Sequence, residues 1–464
     1  GYGMLYQLTG DKKYAELGRQ CFEKALAGVR DRDDRYSWKA PGGALRAGPI
    51  LGWYAVGYDL CYDGWDPATR EKLGRAIADY NEGREHRDAG AVVNLESLAR
   101  GTMPPGSNHF GMQVGGASLA LLALRGEKFV DSVRIERLLK IAEHSMIRNL
   151  TEGFGDGGFF AEGDGTGSMS SHMAFLSALE AWKNVEGKDF INTEAPNARM
   201  LALKWVYQTV FRDGKPDFWP IRGDYGHNVW SRTGISASGY FAIGFAAVRE
   251  PEKAAMKWCY NHFLLEADRA AGVPYDTVNY YPHVIVCALV NWPMDLPEKQ
   301  PETVLPHCYR DSGCGFYCWR NRWQDANDTV ITVLLNATQV YMGSKADVAM
   351  YLNTRGQHLK WGVVASGPTR YWSMSPMGQT SSLAIANGTC FGVDFTGASG
   401  ADTLLVTTGK ADGQSVKLGE NTLTFYFPTA EKPPQVAVAG GAATVGKQRV
   451  SLKDGHLVFG VEGK

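Results

Sequence analysis

The chain lacks any long apolar run. A membrane-spanning helix needs about 20 consecutive apolar residues, and no segment offers them, so a membrane partner is not expected. It also lacks a charge excess: 48 basic residues stand against 49 acidic ones, a net charge of −1. Broad nucleic-acid binding needs a strong positive field, and that class is set aside. Cysteine is sparse, with 8 in 464 residues, which excludes a disulfide scaffold. Only Cys308, Cys314 and Cys318 cluster, beside His307. Their spacing fits no common zinc pattern, so strand positions or a local disulfide are expected there, and neither a metal nor another cofactor. No fixed repeat length is visible, which argues against a solenoid. The chain opens at Gly1 within a helical pattern and without an initiator methionine, so upstream residues are expected to be missing.

What is present is an ordinary globular composition, 44% apolar and 21% charged, long enough for two or three domains. Aromatics reach 11%, with 13 Trp and 21 Tyr; most should fill the core, and the rest suit stacking on sugar rings. The first 290 residues read as helix after helix. The apolar spacing predicts helices over 11–29, 43–62, 108–125, 131–150, 169–185, 196–211, 234–248 and 251–265, and Pro67 sets the start of another at its first turn. Such an array forms a bundle or a ring of helical hairpins. Pro293, Pro297, Pro301 and Pro306 then stiffen a short polar stretch. The expected division is a helical domain 1–292, a Pro-rich linker 293–306 and a β-domain 307–464. Val330–Leu335, the alternation at 422–427 and the Asp454-Gly455 turn between two apolar runs predict strands packed as an antiparallel β-sandwich.

The stretch Pro104-Pro-Gly-Ser-Asn-His-Phe110 draws attention to function. Two prolines and a glycine force a loop, and Ser107 or Asn108 can cap the helix that follows. Phe110, Val114, Ala117, Leu121 and Leu124 mark one buried face of that helix, and Gly115-Gly116 allows another element to approach closely. Asn108 and His109 therefore stand where a rigid helix meets a loop.

With helices first, strands second and an Asn-His pair opening a mid-ring helix, the chain resembles the heparinase II/III and alginate-lyase superfamily of polysaccharide lyases. Four stretches carry the resemblance. Ala44-Leu-Arg46 through Tyr58-Asp59 is similar to an arginine-bearing helix of those enzymes, and Ser107-Asn-His-Phe-Gly111 to their Asn-His motif. Gly155-Asp-Gly-Gly-Phe-Phe160 resembles the turn before their tyrosine-bearing catalytic helix. Phe316-Tyr-Cys-Trp-Arg320 through Trp323 resembles the first strand of their β-domain. The chain also departs from the pattern. Ser168–Phe175 holds His172 and no tyrosine, and Met342–Asp347 lacks the histidines that bind zinc or act in many members.

The resemblance implies an incomplete (α/α) toroid followed by a β-sandwich, a secreted or periplasmic location and an acidic polysaccharide as substrate. The implied reaction is β-elimination: the C5 proton of a uronate leaves and the O4 substituent is expelled. The developing enolate needs a donor, which Asn108 supplies, and a cation, which Arg46 supplies. An imidazole, ordinarily titrating near about 6.5, can take the proton, so His109 and His172 are the base candidates. For the acid that protonates O4, Tyr225 is the first choice. Trp230, His227 and Arg232 in the same polar loop, and Tyr281 in a second cluster, are expected to bind substrate. Glu152, Asp156, Glu162 and Asp164 keep a glycoside hydrolase open as an alternative. A C5-epimerase and an inactive carbohydrate-binding protein are the others.

Overall fold

A computed structural model describes residues 1–86, 91–155, 157–161, 173–212, 214–218, 244–271 and 290–306, and from 308 onward a set of strands, the loop 322–328 and the segment 435–445. The described helices are α1 (Tyr2–Thr9), α2 (Lys12–Leu26), α3 (Ala44–Cys61), α4 (Pro67–Ala78), α5 (Leu95–Arg100), α6 (Asn108–Leu124), α7 (Ser132–Glu152), α8 (Met173–Glu186), α9 (Phe190–Thr193), α10 (Met200–Gln208), α11 (Glu250–Cys259) and α12 (Leu265–Ala271). None of them is long and apolar enough to cross a membrane.

Short-range chemistry sets most helix starts. Asp11 accepts from the Lys13 N–H ahead of α2. Asp66 accepts from Thr69 N at 2.9 Å, with Pro67 in the first turn of α4. Asp131 takes the N–H groups of Val133 and Arg134 ahead of α7. Each bond satisfies donors that the first turn leaves without a helical acceptor.

Among the described residues, strands interrupt the helical reading in two places. The hairpin β1 (Asn81–His86) with β2 (Ala91–Asn94) interrupts the series after α4. The helix expected over 196–211 begins as a 3-10 turn at Pro196–Arg199 and ends at Gln208. Thr209–Arg212 is instead strand β3, paired antiparallel with β4 (Lys215–Phe218). Thr209, Val210 and Phe211 prefer an extended backbone, and Gly214, at φ +72°, makes the tight return. Residues 169–172 and 234–243 of the expected helices lie outside the described set. At 244–248 Gly244 is helical and a short 3-10 turn, Phe245–Ala247, follows it.

α6 lies at the centre. Fourteen of its 17 residues are buried, so it is enclosed on nearly every side, where periodicity predicted one buried face. α3 packs along it through glycine. A Cβ on Gly48 would stand 2.6 Å from the Gln113 Cα, and one on Gly52 would stand 2.9 Å from the Gly116 Cα. Gly48 meets residues 112–113 and Gly52, one turn on, meets 116, so the two helices run parallel. Their first turns, with Arg46 on one and Asn108 and His109 on the other, share an end of the fold. Gly115 faces the backbone of Ala174 and Phe175 in α8 on another side.

Among the described residues after 307, the regular elements are strands, as expected. β5 (Cys308–Asp311), β6 (Phe316–Arg320) and β7 (Val330–Leu335) join Asp347–Thr354 and Gln357–Ala365 in a five-stranded antiparallel sheet. A second five-stranded sheet holds Ser382–Ala386, Cys390–Asp394, Thr403–Thr407, Asn421–Tyr426 and Gln414–Leu418. In it Thr403–Thr407 pairs in parallel with Asn421–Tyr426, a correction to the wholly antiparallel expectation. A four-stranded antiparallel sheet follows, with Lys453 opposite His456 in its last strand pair; the Asp454-Gly455 turn expected between them lies outside the described residues.

Buried polar contacts join helices to strands. Arg320 on β6 is 1% exposed at its side chain and pairs with Asp328 at 2.9 Å. Its Nη1 donates to the carbonyls of Val206 (3.1 Å), Tyr207 (3.1 Å) and Thr209 (2.8 Å) at the end of α10. Trp323 Nε1 donates to the Val206 carbonyl at 3.0 Å, and the Tyr207 hydroxyl donates to the Pro306 carbonyl at 2.8 Å. The proline-rich stretch is held as well: Lys257 Nζ on α11 donates to the carbonyls of Pro293, Met294 and Leu296 at 2.8, 2.9 and 2.9 Å.

Candidate functional site

Pro104–Ser107 closes as a turn, with Ser107 N donating to the Pro104 carbonyl at 2.9 Å. The Ser107 hydroxyl then accepts from His109 N at 3.2 Å, and the Ser107 carbonyl from Phe110 N at 3.0 Å. Ser107 is therefore the cap of α6, and Asn108 is its first helical residue. Of the two caps the sequence allowed, the serine performs that task. Asn108 is 7% exposed and His109 half-buried. Behind them α7 supports the loop: Asn149, fully buried, donates to the Pro105 carbonyl at 2.7 Å.

Arg46 lies in the first turn of α3, at the same end. Its Nη1 donates to the Gly42 carbonyl at 3.2 Å, and its guanidinium stands 5.7 Å from the centre of the Tyr36 ring. Asp33 sits nearby. Its carboxyl is held below the usual carboxylate range, chiefly by its bond to Arg35, with the Arg46 charge a smaller contributor. Two parallel helix starts, each with a partial positive charge, thus carry an arginine, an amide and an imidazole. The combination suits an anionic, oxygen-rich group.

Tyr36 was missed in the sequence. It sits in a short 3-10 turn, Asp34–Tyr36, among charged residues that read as a solvated loop. No pattern signal marks it; only the return of the chain to α3 brings it under Arg46. Trp38 beside it is core, edge-on to Tyr54 and to Tyr80, each at 5.0 Å. Tyr58 is core too, its hydroxyl donating to Glu127 at 2.7 Å.

The Gly155–Phe160 turn is fixed from the strand side. Asp311, at the end of β5 and fully buried, accepts from Gly157 N at 3.0 Å and from Phe159 N at 2.6 Å. The Phe159 ring stacks on Phe316 at 4.6 Å. Lys204, also fully buried, places its ammonium 4.7 Å from the centre of the Phe159 ring. Neither Asp311 nor Lys204 stood out in the sequence; Lys204 is a lone charge in the apolar run 200–206, a usable signal, whereas Asp311 sits between Arg310 and Ser312-Gly313 and carries none.

His172, Tyr225, His227, Trp230, Arg232 and Tyr281 lie outside the described residues, as do Asp156, Glu162 and Asp164. Glu152 is described, and it serves structure. Arg148 grips it at 2.9 Å through both Nε and Nη2 and holds its carboxyl below the usual range. In the cysteine cluster, Cys318 is a buried strand thiol, pushed up to about 11 by burial. Among the described residues no three His, Cys, Asp or Glu side chains gather as metal ligands would.

No protein-family profile and no curated protein sequence matches the chain. Solved structures do show likeness. Heparinase III aligns at a TM-score of 0.44 and 11% identity, over 99% of this chain and 59% of that one. Heparan sulfate lyase HepC from Pedobacter heparinus aligns at a TM-score of 0.38 and 13% identity, over 84% of this chain and 55% of that one. A mutant of HepC gives 0.41 and 13%, over 87% and 57%. The chain thus spans less than two thirds of the length of these proteins.

Proposed function

We propose that the chain is a polysaccharide lyase cleaving a uronic-acid-containing glycan by β-elimination. The observation that carries this reading is the Asn108-His109 pair. It opens a buried helix, capped by Ser107, at the same end as Arg46. In this reading Arg46 and the Asn108 amide neutralise the uronate carboxylate, so that the charge developing beside C5 is stabilised. His109 takes the C5 proton, with His172 as a second base candidate. The C4–O4 bond breaks as the double bond forms, and a tyrosine returns a proton to O4. Tyr225 is proposed for that step on sequence alone; Tyr36, beside Arg46, is a second candidate on geometry. Trp230, His227, Arg232 and Tyr281 are proposed to hold flanking sugars. The same reading takes 1–292 as a toroid domain, 293–306 as its linker and 307–464 as a β-sandwich, in a protein acting outside the cytoplasm. Within the hydrolase alternative, Glu152, bound by Arg148, suits an ionised carboxylate better than a general acid, which leaves that role to Asp156, Glu162 or Asp164.

A panel of acidic polysaccharides tests the proposal. A lyase yields 4,5-unsaturated sugars that absorb in the ultraviolet. New reducing ends without that absorbance would assign a hydrolase, and C5 hydrogen exchange without chain shortening an epimerase.

A further inference from the structure

We infer that Asp311, a residue of the strand region, is a positioning residue for the site at the start of α6. This deepens the lyase reading and rests on it for its catalytic consequence. Gly155, Gly157 and Gly158 give the turn little conformational preference of its own. It closes on itself through Gly158 N to the Gly155 carbonyl and Gly155 N to the Phe159 carbonyl, both at 2.9 Å, with Gly158 at φ +83°. Two of its remaining N–H groups, those of Gly157 and Phe159, point to one buried carboxylate, that of Asp311. Bonds from N–H groups to an ionised acceptor are shorter and stronger than neutral ones. The fit is close: a Cβ on Gly155 would overlap the Asp311 carboxylate itself.

From that turn a run of contacts leads to the Asn-His pair. Ala161 N donates to the Gly153 carbonyl at 3.0 Å, and Phe154 bridges Phe160, so the turn and the end of α7 form one unit. A Cβ on Gly153 would stand 2.6 Å from the Pro105 carbonyl oxygen, the same atom that Asn149 holds. Pro105 belongs to the turn that ends in Ser107, the cap of α6. The carboxylate therefore fixes, from the strand side, the surface on which Asn108 and His109 rest. In sequence, the same turn leads into 162–172 and His172.

The test uses the full chain with Asp311→Ala, Asp311→Asn and Gly155→Ala, read by hydrogen exchange and by kinetics on a glycan the wild type degrades. In Asp311→Ala we expect exchange at Gly157, Phe159 and residues 107–110 to accelerate at least tenfold, with α10 unchanged. We expect kcat to fall at least tenfold while KM stays within threefold. Asp311→Asn, which keeps one acceptor oxygen and the shape, should recover most of that loss. Gly155→Ala should match Asp311→Ala, and the double variant should be little worse than either alone. Unchanged protection at 107–110 overturns the inference, and so does unchanged kcat despite a loosened turn. If the wild type degrades no acidic glycan, the lyase reading falls, and exchange at 107–110 still decides whether Asp311 holds that surface.

Discussion

At the scale of single residues, the Asn-His pair carries the clearest expectations. Asn108→Ala and His109→Ala should each lower turnover by about a hundredfold or more, as expected for losing an electrostatic stabiliser or a base. The assay is ultraviolet absorbance of unsaturated product, with circular dichroism confirming the fold. Near-wild-type rates in both variants would remove the site from consideration. Arg46→Ala should act differently. A cation that binds the carboxylate before and during reaction affects both states, so KM should rise about tenfold with a smaller change in kcat. The pair was legible in the sequence because its signal is local: prolines, a cap and a helix start lie within seven residues. Asp311 was not legible, because it gains its meaning from a turn more than 150 positions earlier, and Tyr36 was not, because only the reversal of the chain before α3 brings it to Arg46.

At the scale of elements, the glycine contacts between α3 and α6 are the feature to probe. A Cβ on Gly116 would collide with the Gly48 backbone, which has no side chain to turn aside. Gly116→Ala should cost about 1–3 kcal/mol or more of stability, as overpacking a core does, measured by urea denaturation. A neutral result would mean that the two helices are not in backbone contact. The Gly115-Gly116 dipeptide announced a close approach in the sequence, but only the fold identifies α3 on one side and α8 on the other. Helix starts were readable from Asp and Pro at their caps. The hairpin β3–β4 was not, because Thr209–Arg212 continues the apolar spacing of α10 and the change of period is too short to register.

At the scale of the whole molecule, buried charge and acid response can be tested. Arg320→Met removes the buried partner of Asp328, which keeps only Arg322 at 3.1 Å, and takes the donor away from the carbonyls of Val206, Tyr207 and Thr209; calorimetry should show a lower Tm. The carboxyls of Glu23, Asp33, Glu96 and Glu152 are all held below their ordinary range by Lys72, Arg35, Arg137 and Arg148. Groups depressed in the folded state stabilise it above their unfolded pKa and lose that contribution as pH falls through the folded value. Tm should therefore be level near neutrality and decline below about pH 4. Asp59, raised by burial and by Asp63, opposes this trend slightly. A Tm that climbs on acidification would contradict the assignment. The last carbonyls of α10 take their donors from Arg320 and Trp323. Severing the gene at the proline-rich stretch would accordingly yield a front half with raw, thirsty ends, prone to precipitate until its missing back half is supplied in trans.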